Sequence, residues 1–155
     1  MRIESFLSQS PVFQTSRTAR KTEASLNAIL KKEDLTFFES LILVAIFFEK
    51  SGQTRPSDLA ETFQTTRGNI SHCISSLEAK GLLRRKLNTE DARAVQLMLS
   101  PLGKRRAART VGILDRMQAQ FEKAIGAAAL ERMMREMLAV EVMCSRMAES
   151  AESTA

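Results

Sequence analysis

Residues 66–103, TRGNISHCISSLEAKGLLRRKLNTEDARAVQLMLSPLG, pass from helical to strand periodicity in one short stretch, and this constrains the fold more than any other part of the chain. Ile70, Cys73, Ile74 and Leu77 recur at helical spacing and define one apolar face. Thr65 or Thr66 can cap that helix at its start, and Gly81 follows Lys80 where a helix needs a left-handed residue to stop. Leu82 and Leu83 then lead into the cations Arg84, Arg85 and Lys86, and a polar turn runs from Asn88 to Asp91. Beyond Arg93, the residues Val95, Leu97 and Leu99 alternate with Gln96, Met98 and Ser100, the period of a strand with one buried face. The expected product is a helix followed by a β-hairpin with a charged tip.

The helix face opposite the apolar one carries Gly68, His72, Ser75 and Ala79, with Asn69, Ser71 and Ser76 at its edges. An ordinary solvated face is richer in Lys and Glu, whereas small hydroxyl and amide side chains suit close approach to base edges. Arg93 at the tip of a wing suits a narrow minor groove. Asp91 can pair with it or with a neighbour and set its direction, although a solvated surface ion pair contributes little. Arg67, Arg84, Arg85 and Lys86 suit phosphates, which position a protein without reading sequence. The candidate DNA contacts are therefore Thr65, Thr66, Arg67, Gly68, Asn69, Ser71, His72, Ser75, Arg84, Arg85, Lys86, Asp91 and Arg93.

Charge supports this by region rather than in total. The chain's net charge is +5, but residues 55–109 hold eleven Lys and Arg against five Asp and Glu, so the remainder is slightly negative. Concentrated positive charge favours phosphate binding through counterion release. Basic segments also meet membranes and acidic proteins, so charge alone does not choose the partner.

The rest of the chain reads as helix. Residues 1–10 are loose or form a short helix, and Pro11 suits the first turn of a helix reaching about Lys32. Thr36-Phe37-Phe38-Glu39 is a capping box that opens the apolar run Leu41–Phe48, a helix buried on most sides. A short helix over Thr54–Phe63, with Leu59, Ala60 and Phe63 facing the core, is joined to the next helix by the tight turn Gln64-Thr65-Thr66, the helix-turn-helix spacing. After Gly103 a helix carries Ala107, Val111, Leu114, Met117, Phe121 and Ile125, Gly126 breaks it, and a last helix spans about Ala128–Ala151. Six of the eight methionines lie between Met117 and Met147, as core filler or as an adaptable seam. The first helix and the last two have no compact domain of their own, which is resolved if they interleave with a second copy; a two-fold dimer would also match two half-sites on DNA.

The string Asp91-x-Arg93-x-x-x-Leu97-x-Leu99-Ser100-x-x-Gly103 resembles the wing signature of the MarR (multiple antibiotic resistance regulator) family, whose usual form has Thr where this chain has Ser100. Leu77-Glu78-x-x-Gly81-Leu82-Leu83-x-Arg85 and Leu35-Thr36 are similar to the family as well, and the resemblance covers roughly residues 20–148. It implies a mainly α fold with a small β-hairpin wing. An N-terminal dimerisation helix would occupy 1–34, and a winged helix-turn-helix domain 35–103, with its recognition helix at about 66–80 and its wing at about 82–100. C-terminal dimerisation helices would occupy 104–155. It further implies an obligate homodimer whose repression of a gene is relieved by a ligand or an oxidant. In such proteins small aromatic effectors lodge between the dimer helices and the DNA-binding lobe. Phe47 and Phe48 are candidates to line that place, although Phe is more commonly core.

Other classes find little footing. No run of about 18 apolar residues spans a membrane, the N-terminus lacks the apolar centre of a signal peptide, and two cysteines make no disulfide framework, which suits a reducing cytoplasm. His72 is the single histidine, and Cys73 beside it points to the other helix face, so no metal site is expected. Cys73 reads as inert core; Cys144 stays open to redox chemistry. The six glycines are too scattered for a phosphate loop, and no nucleophile elbow surrounds a serine. The expectation is not an enzyme and needs no cofactor. It is a sequence-specific regulator that binds double-stranded DNA and itself, and takes a small aromatic or amphipathic effector. The alternatives are a winged-helix module for protein contacts or a small-ligand carrier.

Overall fold

The computed structural model describes residues 2–49, 53–87 and 95–152. In chain order the elements are α1 (Arg2–Gln9), α2 (Pro11–Leu30), a 3-10 turn (Lys31–Glu33), α3 (Phe37–Phe48), α4 (Pro56–Thr62), α5 (Arg67–Ala79), β1 (Leu83–Leu87), β2 (Val95–Leu99), α6 (Pro101–Ile125) and α7 (Ala127–Glu152). The chain is thus mostly helical with a two-stranded antiparallel hairpin. No described helix is long and apolar enough to cross a membrane.

Two compact units divide the chain. One is Ser25–Asp115; the other joins the ends, up to Ala24 and from Arg116 onward. In the central unit α3, α4, α5 and the hairpin share one core. Ile42, Leu43 and Ile46 of α3 meet Ile70, Cys73, Ile74 and Leu77 of α5, with Leu59 and Ala60 of α4 and Leu82, Leu83 and Leu97 around the hairpin. Each such aliphatic side chain contributes about 1.5–3 kcal/mol of transfer free energy on burial. Phe38 and Phe63 pack edge to face at the margin of this core, their centroids 5.7 Å apart.

Two boundaries and one expected burial depart from the sequence reading. The helix expected from Thr54 begins at Pro56, because the ring presets the first helical φ and pushes Arg55 into extended backbone (φ −106°, ψ 152°). Thr54 instead lies beside the hairpin, where its carbonyl accepts the Leu97 N–H at 3.0 Å. The first long helix stops at Leu30 rather than Lys32, and the 3-10 turn closes on Asp34 in left-handed backbone (φ 54°). Finally, α3 is not buried through its last turn: Phe47 is 37% and Phe48 70% exposed, so they are not core. The core-facing positions at that end are taken by Leu43 and Ile46, leaving the phenyl rings on the outer side.

In the terminal unit Ser10 caps α2 by accepting the Phe13 N–H at 3.3 Å, with Pro11 in the first turn. Gly126, in left-handed backbone (φ 90°), separates α6 from α7. None of the residues of α7 is buried.

Candidate nucleic-acid interface

The helix-turn-helix consists of α4, a tight turn and α5. Gln64 takes left-handed backbone (φ 46°) in that turn, and the Thr65 N–H reaches the Ala60 carbonyl at 3.0 Å. Thr66 is the N-cap of α5, its hydroxyl accepting the Asn69 N–H at 3.2 Å. Thr65 contributes differently: its hydroxyl accepts the Asn69 side-chain amide at 3.0 Å. Gly81 ends the helix in left-handed backbone (φ 69°), as expected from its position after Lys80.

The apolar stripe of α5 faces the core and the opposite side is open. Ile70, Cys73, Ile74 and Leu77 are buried, while Thr66, Arg67, Gly68, Asn69, Ser71, His72, Ser75 and Ala79 are exposed and Thr65 is half-buried. Arg84, Arg85 and Lys86 of β1 are exposed too. Asp91 and Arg93 lie outside the described residues, as does the turn that begins at Asn88.

Below this surface the helix is fixed by a polar cluster that the sequence reading missed. Glu39, 4% exposed, closes the capping box of α3 by accepting the Thr36 N–H at 2.8 Å. The same carboxylate accepts the Ser76 hydroxyl at 2.5 Å and the Lys80 ammonium at 2.8 and 3.1 Å. Burial opposes the charge on Glu39, but the hydrogen bonds from Lys80, Ser76 and the Thr36 backbone outweigh it, and its pKa falls below the ordinary value. Lys80 also donates to the Asp34 carbonyl at 2.8 Å. Ser76, read from the sequence as an edge of the open face, is therefore turned inward. The available signal was an acid in an otherwise apolar helix, whose capping role already accounted for it. Nearby Cys73 has its thiol pKa raised, first by burial and then by the Glu39 charge, with Lys80 offsetting part of the effect; this keeps the thiol protonated and a poor nucleophile.

The hairpin joins the helix from the other side. Leu83 pairs with Leu99, Arg85 with Leu97 and Leu87 with Val95. After β2, the Ser100 hydroxyl donates to the Gly81 carbonyl at 2.7 Å and accepts the Gly103 N–H at 2.9 Å, so one side chain ties the end of α5 to the start of α6. Besides Lys80, two further cations counted toward the positive surplus are turned elsewhere: Arg109 Nε lies 3.1 Å and Arg106 Nε 3.4 Å from the Glu33 carboxylate. The Arg106 guanidinium also donates to the Glu33 carbonyl.

The two phenylalanines considered for an effector line separate hollows. Phe47, with Ile46, Glu49, Leu99 and Lys104, borders one of about 240 Å³. Phe48 borders another of about 370 Å³, with Ala45, Gln53, Thr54 and Leu59 among its walls.

Comparison with known proteins agrees with this architecture. Staphylococcus aureus MepR in complex with DNA superposes with a TM-score of 0.79 at 17% identity, over 87% of this chain and 98% of that one. CouR from Rhodococcus jostii RHA1 bound to p-coumaroyl-CoA gives 0.71 at 19% identity, over 86% and 93%. BldR from Sulfolobus solfataricus gives 0.68 at 22% identity, over 90% and 98%. A comparison with curated protein sequences gives no match. A sequence model of the MarR family matches residues 47–95, and the fold is similar to that of solved MarR-family transcription regulators.

Proposed function

We propose that this protein is a DNA-binding transcription regulator that acts as a homodimer, α5 of each copy lying in the major groove at one half-site of an operator. The observation that carries this is the open face of α5: Gly68, Asn69, Ser71, His72 and Ser75 are exposed and small or polar, with exposed Arg67 at the start of the helix and exposed Arg84 and Lys86 on the adjoining hairpin. Side chains of that kind can reach base edges, and the flanking cations can hold phosphates and set register. Arg93, with Asp91 to orient it, is assigned to the adjacent minor groove. The DNA complex of MepR supports the same use of a shared fold.

Repression relieved by a small effector is the regulatory output we infer. It is supported by the acyl-CoA ligand of CouR and by the exposed Phe47 and Phe48 at hollows near the end of α3, the second of them walled in part by α4. An effector must bind one arrangement of the two α5 helices better than another, or it shifts nothing.

The test is selection of random duplex DNA by the purified protein at near-physiological salt, followed by sequencing. The expected result is a pseudo-palindrome with half-sites about ten base pairs apart. Retention of DNA without any sequence preference, or of none, would overturn the proposal and leave a charged surface for a protein partner.

A further inference from the structure

Arg84, Arg85 and Lys86 are adjacent in sequence, but the pleat of β1 separates them. Arg84 and Lys86 pair with Met98 and Gln96 on one face of the hairpin. Arg85 pairs with Leu97 on the other face, the one that includes buried Leu83. From there its side chain reaches α5. Arg85 Nη2 donates to the Ser75 hydroxyl oxygen at 2.9 Å, and Nε lies 3.2 Å from Glu78 Oε2. The other Glu78 oxygen accepts the Arg85 backbone N–H at 3.0 Å. Even so held, the Arg85 side chain stays 40% exposed, beside exposed Ser75.

We propose that Arg85 is a base-reading residue, selecting a guanine in the major groove of each half-site, with Glu78 as its positioning residue. This rests on the DNA-binding reading above and replaces the phosphate role that its sequence neighbours suggest.

Three features separate a base edge from a phosphate as the target. The first is charge. Glu78 neutralises Arg85 at short range, so the pair gains little from counterion release, and its carboxylate would sit close to any phosphate that the guanidinium held. A base edge is neutral and meets only the donors. The second is preorganisation. A phosphate contact tolerates a flexible side chain, whereas a guanidinium pinned by Ser75 and Glu78 has already lost its rotamer freedom and presents a fixed fork. The third is the pattern of donors. Among the described residues nothing engages Arg85 Nη1, and Ser75, accepting from Arg85, keeps its own hydroxyl hydrogen to donate. Side-by-side donors match the paired N7 and O6 acceptors of guanine, and an edge that offers an amino group would oppose them.

The experiment compares DNA selection and salt-dependent binding for the wild type, Arg85→Ala, Arg85→Lys and Glu78→Ala. In the wild type one position of each half-site should be guanine. Arg85→Ala should lose preference at that position alone, by about tenfold or more, with the salt slope nearly unchanged. Arg85→Lys, which keeps the charge but not the fork, should lose it as well. Glu78→Ala should weaken the same preference while the guanidinium remains. A wild-type operator combined with uniform weakening by Arg85→Ala at all sequences, or full rescue by Arg85→Lys, would overturn the inference and leave the regulator reading standing. If the wild type selects no sequence at all, both fall together.

Discussion

Glu39 shows how much one residue can coordinate. It caps α3 and, from the same carboxylate, holds Ser76 and Lys80 at the end of α5, so the helix whose outer face is proposed to meet DNA is fastened from its inner face. The linkage between ionisation and folding gives the sign of its pH dependence. The Glu39 pKa is lower in the folded chain than its ordinary value of 4.5, so its ionised form stabilises the fold above that range. That stabilisation is lost as pH falls through the lowered value. Urea unfolding followed between neutral pH and pH 3 should show the wild type losing stability toward the acid end, and Glu39→Gln should flatten that part of the curve. At neutral pH the substitution should cost about 2 kcal/mol, because it takes the nearer counter-charge from the partly buried Lys80 ammonium and leaves it with Asp34, 4.0 Å away. An unchanged acid limb would mean that other carboxylates dominate the transition.

At the scale of elements, the junction between α5, the hairpin and α6 explains much of the wing signature in packing terms. Leu97 is fully buried and Leu99 packs beside the core. Ser100 joins the Gly81 carbonyl to the Gly103 N–H, a role any hydroxyl can fill, so Ser serves there as well as the Thr of the wing signature it resembles. Gly103 is required for a different reason: a Cβ there would lie 1.9 Å from the Leu82 carbonyl oxygen. Thermal and urea unfolding should therefore place Ser100→Thr near the wild type. Ser100→Ala should be less stable by about 2 kcal/mol, from the lost cap and the unpaired Gly81 carbonyl. Gly103→Ala should lose about 3 kcal/mol or fail to fold, since backbone rather than a flexible side chain must yield. These elements were legible in the sequence because their signals are local: the period of Ile70–Leu77, the stop at Gly81, the alternation of Val95–Leu99 and the capping box at Thr36 each depend on neighbouring residues. What sequence could not supply depends on partners distant in the chain. Glu39 with Lys80, and Ser75 with Arg85, become visible only when the elements pack. The strand parity that sets Arg85 apart from Arg84 and Lys86 was latent in the alternation, but without the register it did not say which face met the helix.

For the whole molecule the decisive feature is the uncovered apolar surface of the last helix. The core of the Ser25–Asp115 unit includes no residue of α7, and α7 buries none of its own. Yet Met133, Met134, Met137, Leu138, Val142, Met143 and Met147 are exposed along it, and Phe121 and Ile125 along the end of α6. So much exposed apolar surface marks an interaction site, and a second copy is the occupant we propose, since two-fold pairing would also present two α5 helices to a two-part operator. This distinguishes two kinds of stability. The core of the central unit should survive loss of α7, whereas the dimer should not. Sedimentation at micromolar concentration should give the full chain twice its own mass. A variant ending after Gly126 should sediment at the mass of one chain while retaining helical circular dichroism and a cooperative unfolding transition. Its affinity for a two-half-site operator should fall to that for a single half-site, because the second contact no longer benefits from the effective concentration that pairing provides. A full chain that runs as a monomer, or a shortened one that remains a dimer, would remove α7 from the interface and with it the explanation for its uncovered methionines.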